Sequence, residues 1–402
     1  MPEKNILILT CSTGEGHNCA ARAVEAELAD RGIACEVKDV LGFKGGRAVK
    51  RASDVYSAVI KNAPSLFGFV YRLGRAYDNS RLPSPIYRRN SKYAGRLYAY
   101  LTENRVTHVI CTHLFAMEAM TAVRRKYGSG IKCYGVLTDY TAIPFYKDTD
   151  LDGYFTAEEK SGLSLISKGI SAGKVYVTGI PVHKKFREET DKSEARGRLG
   201  IPADKKVIAV MTGGAGCGKT VKLCAELAKL KTDRQVYVLC GRNKKLADKL
   251  KRRFGGGNIR AVEFTPDVHL YMKSADVLIT KAGGLSSTEG AVAGVPIVHL
   301  KAIPGCETAN LKYFSGNGLS LRADSVKRAV SCAEQLVSDE ALSEVMIKIQ
   351  KLFICGTAVN TIVNIVTEDK ADEYISMACV YGGRVSLGQY NVLPDYTRAY
   401  NA

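Results

Sequence analysis

No apolar run in this 402-residue chain approaches the ~18–20 residues needed to cross a bilayer. The N-terminal stretch "MPEKNILILTCSTGEGH" is apolar only briefly and runs into a Gly-rich turn, so it reads as a first core strand and not as a signal peptide. Cys-x-x-Cys pairs are missing, and no His/Cys group has metal-ligand spacing. The twelve cysteines are scattered, and several, such as Cys111 and Cys240, lie in apolar runs. That suits buried thiols in a reducing cytoplasm, and no metal is expected. Internal repeats and low-complexity tracts are also missing. Acidic side chains are in short supply: 40 Asp and Glu against 58 Lys and Arg, a formal charge of +18. Such a field favours a polyanion, either nucleic acid or an anionic membrane. The excess concentrates between Lys44 and Arg105, where basic residues, among them Arg88, Arg89 and Lys92, alternate with Tyr, Phe and Leu. A segment of this kind can lie on a membrane surface, bind RNA, or form a helical hairpin with a solvated basic face.

The rest is an alternation of strand-like apolar runs and helical periodicity. "NILILT" precedes "NCAARAVEAELADRG", and "HVICTH" precedes "FAMEAMTAVRRKYG". After the polar stretch "REETDKSEARGRLGIPADKK" the pattern restarts with "KVIAVMT", "RQVYVLCG", "ADVLIT" and "VPIVHL". This predicts an α/β protein of two doubly wound, Rossmann-like halves: residues 1–182, a linker over 183–204, and residues 205–368. A Tyr- and Gly-rich tail, 369–402, has no functional reading. Two such halves place a cleft between the carboxyl ends of their strands, where ligands bind.

Two motifs attract attention and fail on context. "GGAGCGKT" fits the phosphate loop G-x-x-x-x-G-K-T, from Gly213 to Thr220. A working nucleotidase also needs a carboxylate at the end of a later strand, and "VYVLCG", "VLITKAGG" and "PIVHLK" offer none. "DTDLDGYFTAEE" matches a calcium loop through Asp148, Asp150, Asp152, Gly153 and Glu159. However, a strand and a Pro144 turn precede it where a helix is required.

Three Gly-rich turns remain at strand ends. In "TCSTGEGHNCAA", Gly14 and Gly16 permit a sharp turn, and His17 sits at the start of the next helix. That position lowers an imidazole pKa and suits a general base near neutral pH. The second turn is "GGAGCGK". In "ITKAGGLSSTEGAVAGVP", Gly283 and Gly284 open a helix whose N–H groups can hold a diphosphate, and Glu289, about one turn in, can accept the hydroxyls of a ribose. "PGCETANLKYF" adds Glu307 and Asn310 on one helix face, able to bind the hydroxyls of a sugar.

"TGEGHNCAARA", "GVLTDY", "VTGIPVHKKF", "VMTGGAGCGK", "ITKAGGLSSTEGAVAGVPIV" and "PGCETAN" stand in the order seen in the diacylglycerol glycosyltransferases. Over roughly residues 4–365 the chain resembles these members of glycosyltransferase family 28, which include the processive bacterial glucosyltransferases and the plastid monogalactosyldiacylglycerol synthases. The resemblance implies a GT-B fold, a UDP-sugar donor on the C-terminal half, a lipid acceptor on the N-terminal half, inversion at the sugar, and no cofactor or metal; the alternative is a UDP-sugar epimerase on the same two-domain fold, which would need no lipid and no amphipathic basic segment. By position, Gly283, Gly284 and Glu289 would hold UDP, and Glu307 and Asn310 the sugar. Gly213 and Gly214 would lie near the donor phosphates. His17 would be the base or acceptor-orienting group. Asp139, ending "YGVLTD", and the basic segment with Arg88, Arg89 and Lys92 would form the acceptor and membrane face. This implies a protein peripheral on the cytoplasmic side of an anionic membrane, with no nucleic-acid partner. The chain departs from the pattern at Ser12, where the plastid enzymes carry Asp, and at Ile143, where many relatives carry His.

Overall fold

The computed structural model describes residues 4–45, 74, 77–78, 82–213, 220–230 and 233–368. Its strands form two sheets. In chain order these are β1 (Ile6–Thr10), β2 (Cys35–Asp39), β3 (His108–Cys111), β4 (Lys132–Val136), β5 (Gly153–Thr156) and β6 (Val175–Val177), then β7 (Lys206–Met211), β8 (Arg234–Gly241), β9 (Ile259–Glu263), β10 (Val277–Thr280), β11 (Ile297–Leu300) and β12 (Leu321–Ala323). The first sheet runs β2-β1-β3-β4-β5-β6 and the second β12-β11-β10-β7-β8-β9. All pairings are parallel, for instance Ile6 opposite both Cys35 and His108.

Parallel sheets are covered on both faces, so their central strands are apolar throughout instead of alternating. β1, "ILILT", is buried at every position. The helix after it, Glu15–Asp30, buries Ala21, Val24 and Leu28, three and four residues apart, as one stripe, and turns Ala20 to the contact with the other half. The helix after β3, Leu114–Tyr127, starts with the ring of His113 accepting the Phe115 N–H at 3.0 Å. It stops at Gly128, whose φ of 61° suits a residue without Cβ.

In both sheets the chain reverses direction of winding next to its first strand. The crevices lie between β1 and β3 in one half and between β7 and β10 in the other. The carboxyl ends of these four strands carry Cys11–Gly16, Thr112–His113, Thr212–Gly213 and Lys281–Gly284, so topology alone brings the Gly-rich turns together.

A third apolar cluster joins the halves. It contains Ala20, Tyr140 and Ala157 from the first half and Leu278, Leu285, Ile297 and Phe314 from the second. Against the expectation of no span-length apolar run, the stretch Glu340–Glu368 has the length and apolar content of a membrane span, but it is two helices, Glu340–Phe353 and Ala358–Glu368. The second of these lies within the range expected for the C-terminal half, yet it crosses back. Val359, Ile362, Val363 and Val366 pack with Ile6, Ile8 and Val24, and Asn360 donates to Glu27 at 2.6 Å. At this return the chain meets its own outward crossing. A Cβ on Gly179 would stand 3.2 Å from Cys355 Cβ and from Ala358 Cβ, and its φ is 92°.

Candidate functional site

His17 is the third residue of its helix. Its Nδ1 lies 2.9 Å from the Thr112 carbonyl and 2.9 Å from Thr138 Oγ1. A carbonyl only accepts, so Nδ1 carries the proton and Nε2 keeps its lone pair. Burial pushes the imidazole below its ordinary value, while the charge of Asp139 and the Thr112 carbonyl pull the other way. His17 is therefore a neutral imidazole with a fixed tautomer. His113 stands edge-on to it, ring centroids 4.5 Å apart. Its Nδ1 is taken by Phe115 N–H and its Nε2 is 3.0 Å from Thr13 Oγ1. Burial and then the charge of His17 hold it well below the usual range, so it stays neutral beside His17.

Asp139 follows β4. Burial raises its carboxyl, and the bond from Asn310 and the charges of His17 and Lys281 oppose that shift. Asn310 comes from the other half. It donates from Nδ2 to Asp139 Oδ1 at 2.7 Å and to the Ala282 carbonyl at 3.0 Å, and its Oδ1 accepts the Tyr140 N–H at 2.8 Å. Tyr140 itself reaches across. Its hydroxyl is 2.8 Å from Thr288 Oγ1 and its ring stacks on Tyr313, centroids 4.4 Å apart. In this arrangement Asn310, expected to hold a sugar, has both N–H groups engaged by protein.

The helix Gly284–Val292 begins at this junction. A Cβ on Gly284 would lie 2.0 Å from the Thr138 carbonyl oxygen, so only glycine lets the two halves meet here. One turn on, Glu289 is 8 % exposed. Burial raises its carboxyl to about 8, and Arg22 on the facing helix counters this only partly. Glu307 accepts from Lys281 Nζ at 2.7 Å and from Ile303 N–H at 3.2 Å. The Lys281 stem lies over both glycine turns: a Cβ on Gly213 would be 2.9 Å from its Cε, and one on Gly283 would be 3.2 Å from its Nζ. Lys281 thus puts a cation between the two turns that were expected to hold phosphate.

The remaining expected residues divide as follows. Gly214 and Lys219 lie outside the described residues. Thr220 is buried, with its hydroxyl 2.9 Å from Thr212 Oγ1. One strand after the phosphate-loop motif does end in a carboxylate: Glu263 closes β9. It is nevertheless an edge residue paired with Lys251, two strands from β7. The acidic residues of the calcium-like loop point to separate partners. Asp148 accepts from Ser84 N–H at 3.0 Å, Asp150 pairs with Lys174 at 2.9 Å, and Asp152 pairs with Arg124. Arg88, Arg89 and Lys92 are exposed and, with Lys44 and Arg96, line a concavity of about 450 Å³.

Residues 17–182 match the monogalactosyldiacylglycerol (MGDG) synthase family, and residues 207–303 match the glycosyltransferase family 28 C-terminal domain. Over both halves the chain is similar to glycosyltransferase family 28 and its diacylglycerol-directed members. Its relatives include the processive diacylglycerol beta-glucosyltransferases of Bacillus licheniformis, 26 % identical over 91 % of this chain and 96 % of that protein, and of Bacillus subtilis, 26 % identical over 84 % and 88 %. Among solved structures, Acinetobacter baumannii MurG superposes with a TM-score of 0.59 at 18 % identity, covering 91 % of this chain and 99 % of that one. The Neisseria meningitidis UDP-GlcNAc 2-epimerase bound to UDP-GlcNAc gives 0.58 at 15 %, covering 91 % and 100 %. The fold is GT-B. At Ser12, where plastid members of the family carry Asp, the backbone N–H donates to Asp39 Oδ2 at 2.7 Å, so a carboxylate reaches the turn from the end of β2. Ile143, where many members of the family carry His, packs on the first core.

Sequence reading missed Lys281, His113, Asp39 and Tyr140. The signal for the first two was a polar residue at the end of a switch-point strand, readable only once the strand order is known.

Proposed function

We propose that this chain transfers a hexose from a UDP-sugar to a membrane lipid such as diacylglycerol, with inversion and without a metal ion. The reading rests on one observation above all: His17 and Lys281, at strand ends of opposite halves, both act electrostatically on the buried Asp139, at the junction where the helix start at Gly284 meets Thr138. The family and its near full-length relatives support the reaction class.

In this mechanism the uracil nucleotide lies along the second half. Glu289 accepts its ribose hydroxyls, and the first N–H groups of the helix Gly284–Val292 meet the diphosphate. The lipid hydroxyl gives its proton to His17 Nε2 and attacks the anomeric carbon from the face opposite UDP. The bond from that carbon to the diphosphate oxygen breaks as the new one forms, which inverts the centre. Charge gathers on the departing diphosphate, where Lys281 and the helix amides stabilise it. The proton on His17 returns to solvent when product leaves. Asp139 favours the imidazolium formed in between. Donor entry requires Gly284 and Thr138 to part, breaking the Asn310–Asp139 and Tyr140–Thr288 contacts; their return excludes water that would hydrolyse the donor. The acceptor reaches the cleft from a cytoplasmic membrane face bound by Lys44, Arg88, Arg89 and Lys92.

The test is UDP release from a panel of UDP-sugars, with and without diacylglycerol in anionic vesicles. Release that depends on both one sugar and the lipid supports the reading. Release unchanged by lipid, or magnesium-dependent ATP hydrolysis in its place, overturns it.

A further inference from the structure

The charge of +18 has two homes. Residues 44–105 hold thirteen basic and three acidic side chains, and residues 242–260 hold eight basic and one acidic. The rest of the chain is close to neutral. The second stretch centres on the helix Lys244–Phe254 of the other half. That helix buries Ala247 and Leu250 and turns Lys245, Lys249 and Arg252 outward. These three are four and three residues apart and so share one face. Within 242–260 the ion pairs among the described residues are Lys251 with Glu263, at 2.5 Å, and Arg242 with Glu15, at 2.9 Å. Among the described residues no ion pair joins Lys245, Lys249 or Arg252 to a carboxylate, and the one acid on the helix, Asp248, leaves the outward face with a net positive charge. Phe264, 65 % exposed, stands beside it with the Arg242 guanidinium 5.2 Å from its ring.

The two basic faces share one edge of the molecule. Gly284 after β10 meets Thr138 after β4, and Arg242 after β8 meets Glu15 after β1. The order β4, β1, β2 in one sheet therefore runs alongside β10, β8, β9 in the other, and the edge strands β2 and β9 fall on the same side. Lys44 closes the short 3-10 helix after β2, and Lys244–Phe254 joins β8 to β9. One face therefore lies on each half, along the same edge.

We propose that the helix Lys244–Phe254, with Phe264, is a second docking face for an anionic lipid bilayer. It acts together with the Lys44, Arg88, Arg89, Lys92 and Arg96 face of the other half. This inference builds on the membrane-bound reading above. Lys and Arg with an adjacent exposed aromatic suit phosphate headgroups over an apolar interior. Two faces on one surface bind with the second contact made at high effective concentration, so together they hold far better than either alone. Docking through both halves also sets the cleft mouth against the bilayer that contains the acceptor.

The experiment uses the full chain and flotation on two kinds of vesicle: pure phosphatidylcholine, and phosphatidylcholine with roughly a third phosphatidylglycerol. Three variants are compared with the parent. One has Lys245→Ser, Lys249→Ser and Arg252→Ser. One has Arg88→Ser, Arg89→Ser and Lys92→Ser. The third has all six changes. Each lost charge is expected to lower the partition coefficient about fivefold at low salt, so each triple loses up to roughly a hundredfold and the six-change variant loses more than either. UDP affinity by calorimetry is expected to stay at the parent value in the Lys245 triple, which reports that it is folded. Parent-like flotation of the Lys245 triple, while the Arg88 triple detaches, overturns the second face and leaves the first. A parent that does not distinguish the two vesicles removes membrane docking altogether. Displacement of the parent from anionic vesicles by equimolar single-stranded RNA overturns the assignment in favour of nucleic acid.

Discussion

Replacing Glu289 by Gln is expected to strengthen the fold and weaken UDP binding at once. The carboxyl is 8 % exposed, and burial raises its pKa to about 8 from an ordinary 4.5. Between those values the folded protein holds a proton that the unfolded chain has released. Stability is therefore full below about pH 4.5, falls as pH rises toward 8, and levels off above that. At about 1.4 kcal/mol per pH unit the cost is about 1 kcal/mol at pH 5, about 3 at pH 7 and nearly 5 at pH 9. Gln has the same shape and no charge, so Glu289→Gln should recover energies of this order, growing with pH. Urea unfolding at these three pH values measures it. Calorimetry with UDP should move the opposite way. A neutral amide in place of a carboxylate loses about 1.5–3 kcal/mol for a charged hydrogen bond, roughly tenfold to a hundredfold in affinity. In the parent, UDP affinity should fall as pH drops below about 8, because ribose hydroxyls favour the ionised carboxyl. A variant no more stable at pH 9 than at pH 5, relative to the parent, refutes the burial argument. Unchanged UDP affinity refutes the ribose assignment.

His17→Ala should cut transfer by about 10²–10⁴ and leave UDP affinity intact, since the base and the donor site lie in different halves; parent-like turnover would reduce His17 to a structural residue. Because burial lowers its pKa, the acid limb of the rate profile should lie below pH 6.5, and Asp139→Asn, which removes a charge that raises that pKa, should move the limb to still lower pH. A limb that moves upward contradicts the pairing. Tyr140→Phe deletes the cross-cleft bond to Thr288 and should cost about 1 kcal/mol of stability, read as faster proteolysis within 178–205; unaltered cleavage would show that the bond does not hold the halves. Lys219→Ala should leave UDP affinity within roughly tenfold and remove no nucleotidase activity. Parent ATP hydrolysis lost in this variant would point to a phosphate-loop enzyme.

The sheets were legible because β1, β3, β7 and β10 are buried on both faces and read as plain apolar runs. The turns around Gly16 and Gly284 were legible because a strand, a glycine pair and a helix follow in fixed order. Lys281 and His113 were not, since a lone polar residue after a strand has no pattern of its own; strand order gives it meaning. The return of Ala358–Glu368 to the first sheet was equally hidden. An apolar stripe states that a helix packs, not on which sheet. The basic helix Lys244–Phe254 passed as ordinary periodicity because Ala247 and Leu250 carry that signal, and the strand-ending Glu263 went unnoticed beside it.

The contact of Gly179 with Cys355 and Ala358 has a mechanical consequence. Among the described residues the backbone passes between the halves twice, and both passages run through the same place. Two separated passages would act like a pair of door hinges and allow swing about one line only. Passages that touch act like a ball joint: the halves can swing and twist, but they cannot slide apart. Strain delivered at the lipid surface would then reach the sugar as a change of angle, with the fulcrum at a glycine. A bulkier side chain there would crowd Cys355 and Ala358 and jam the joint.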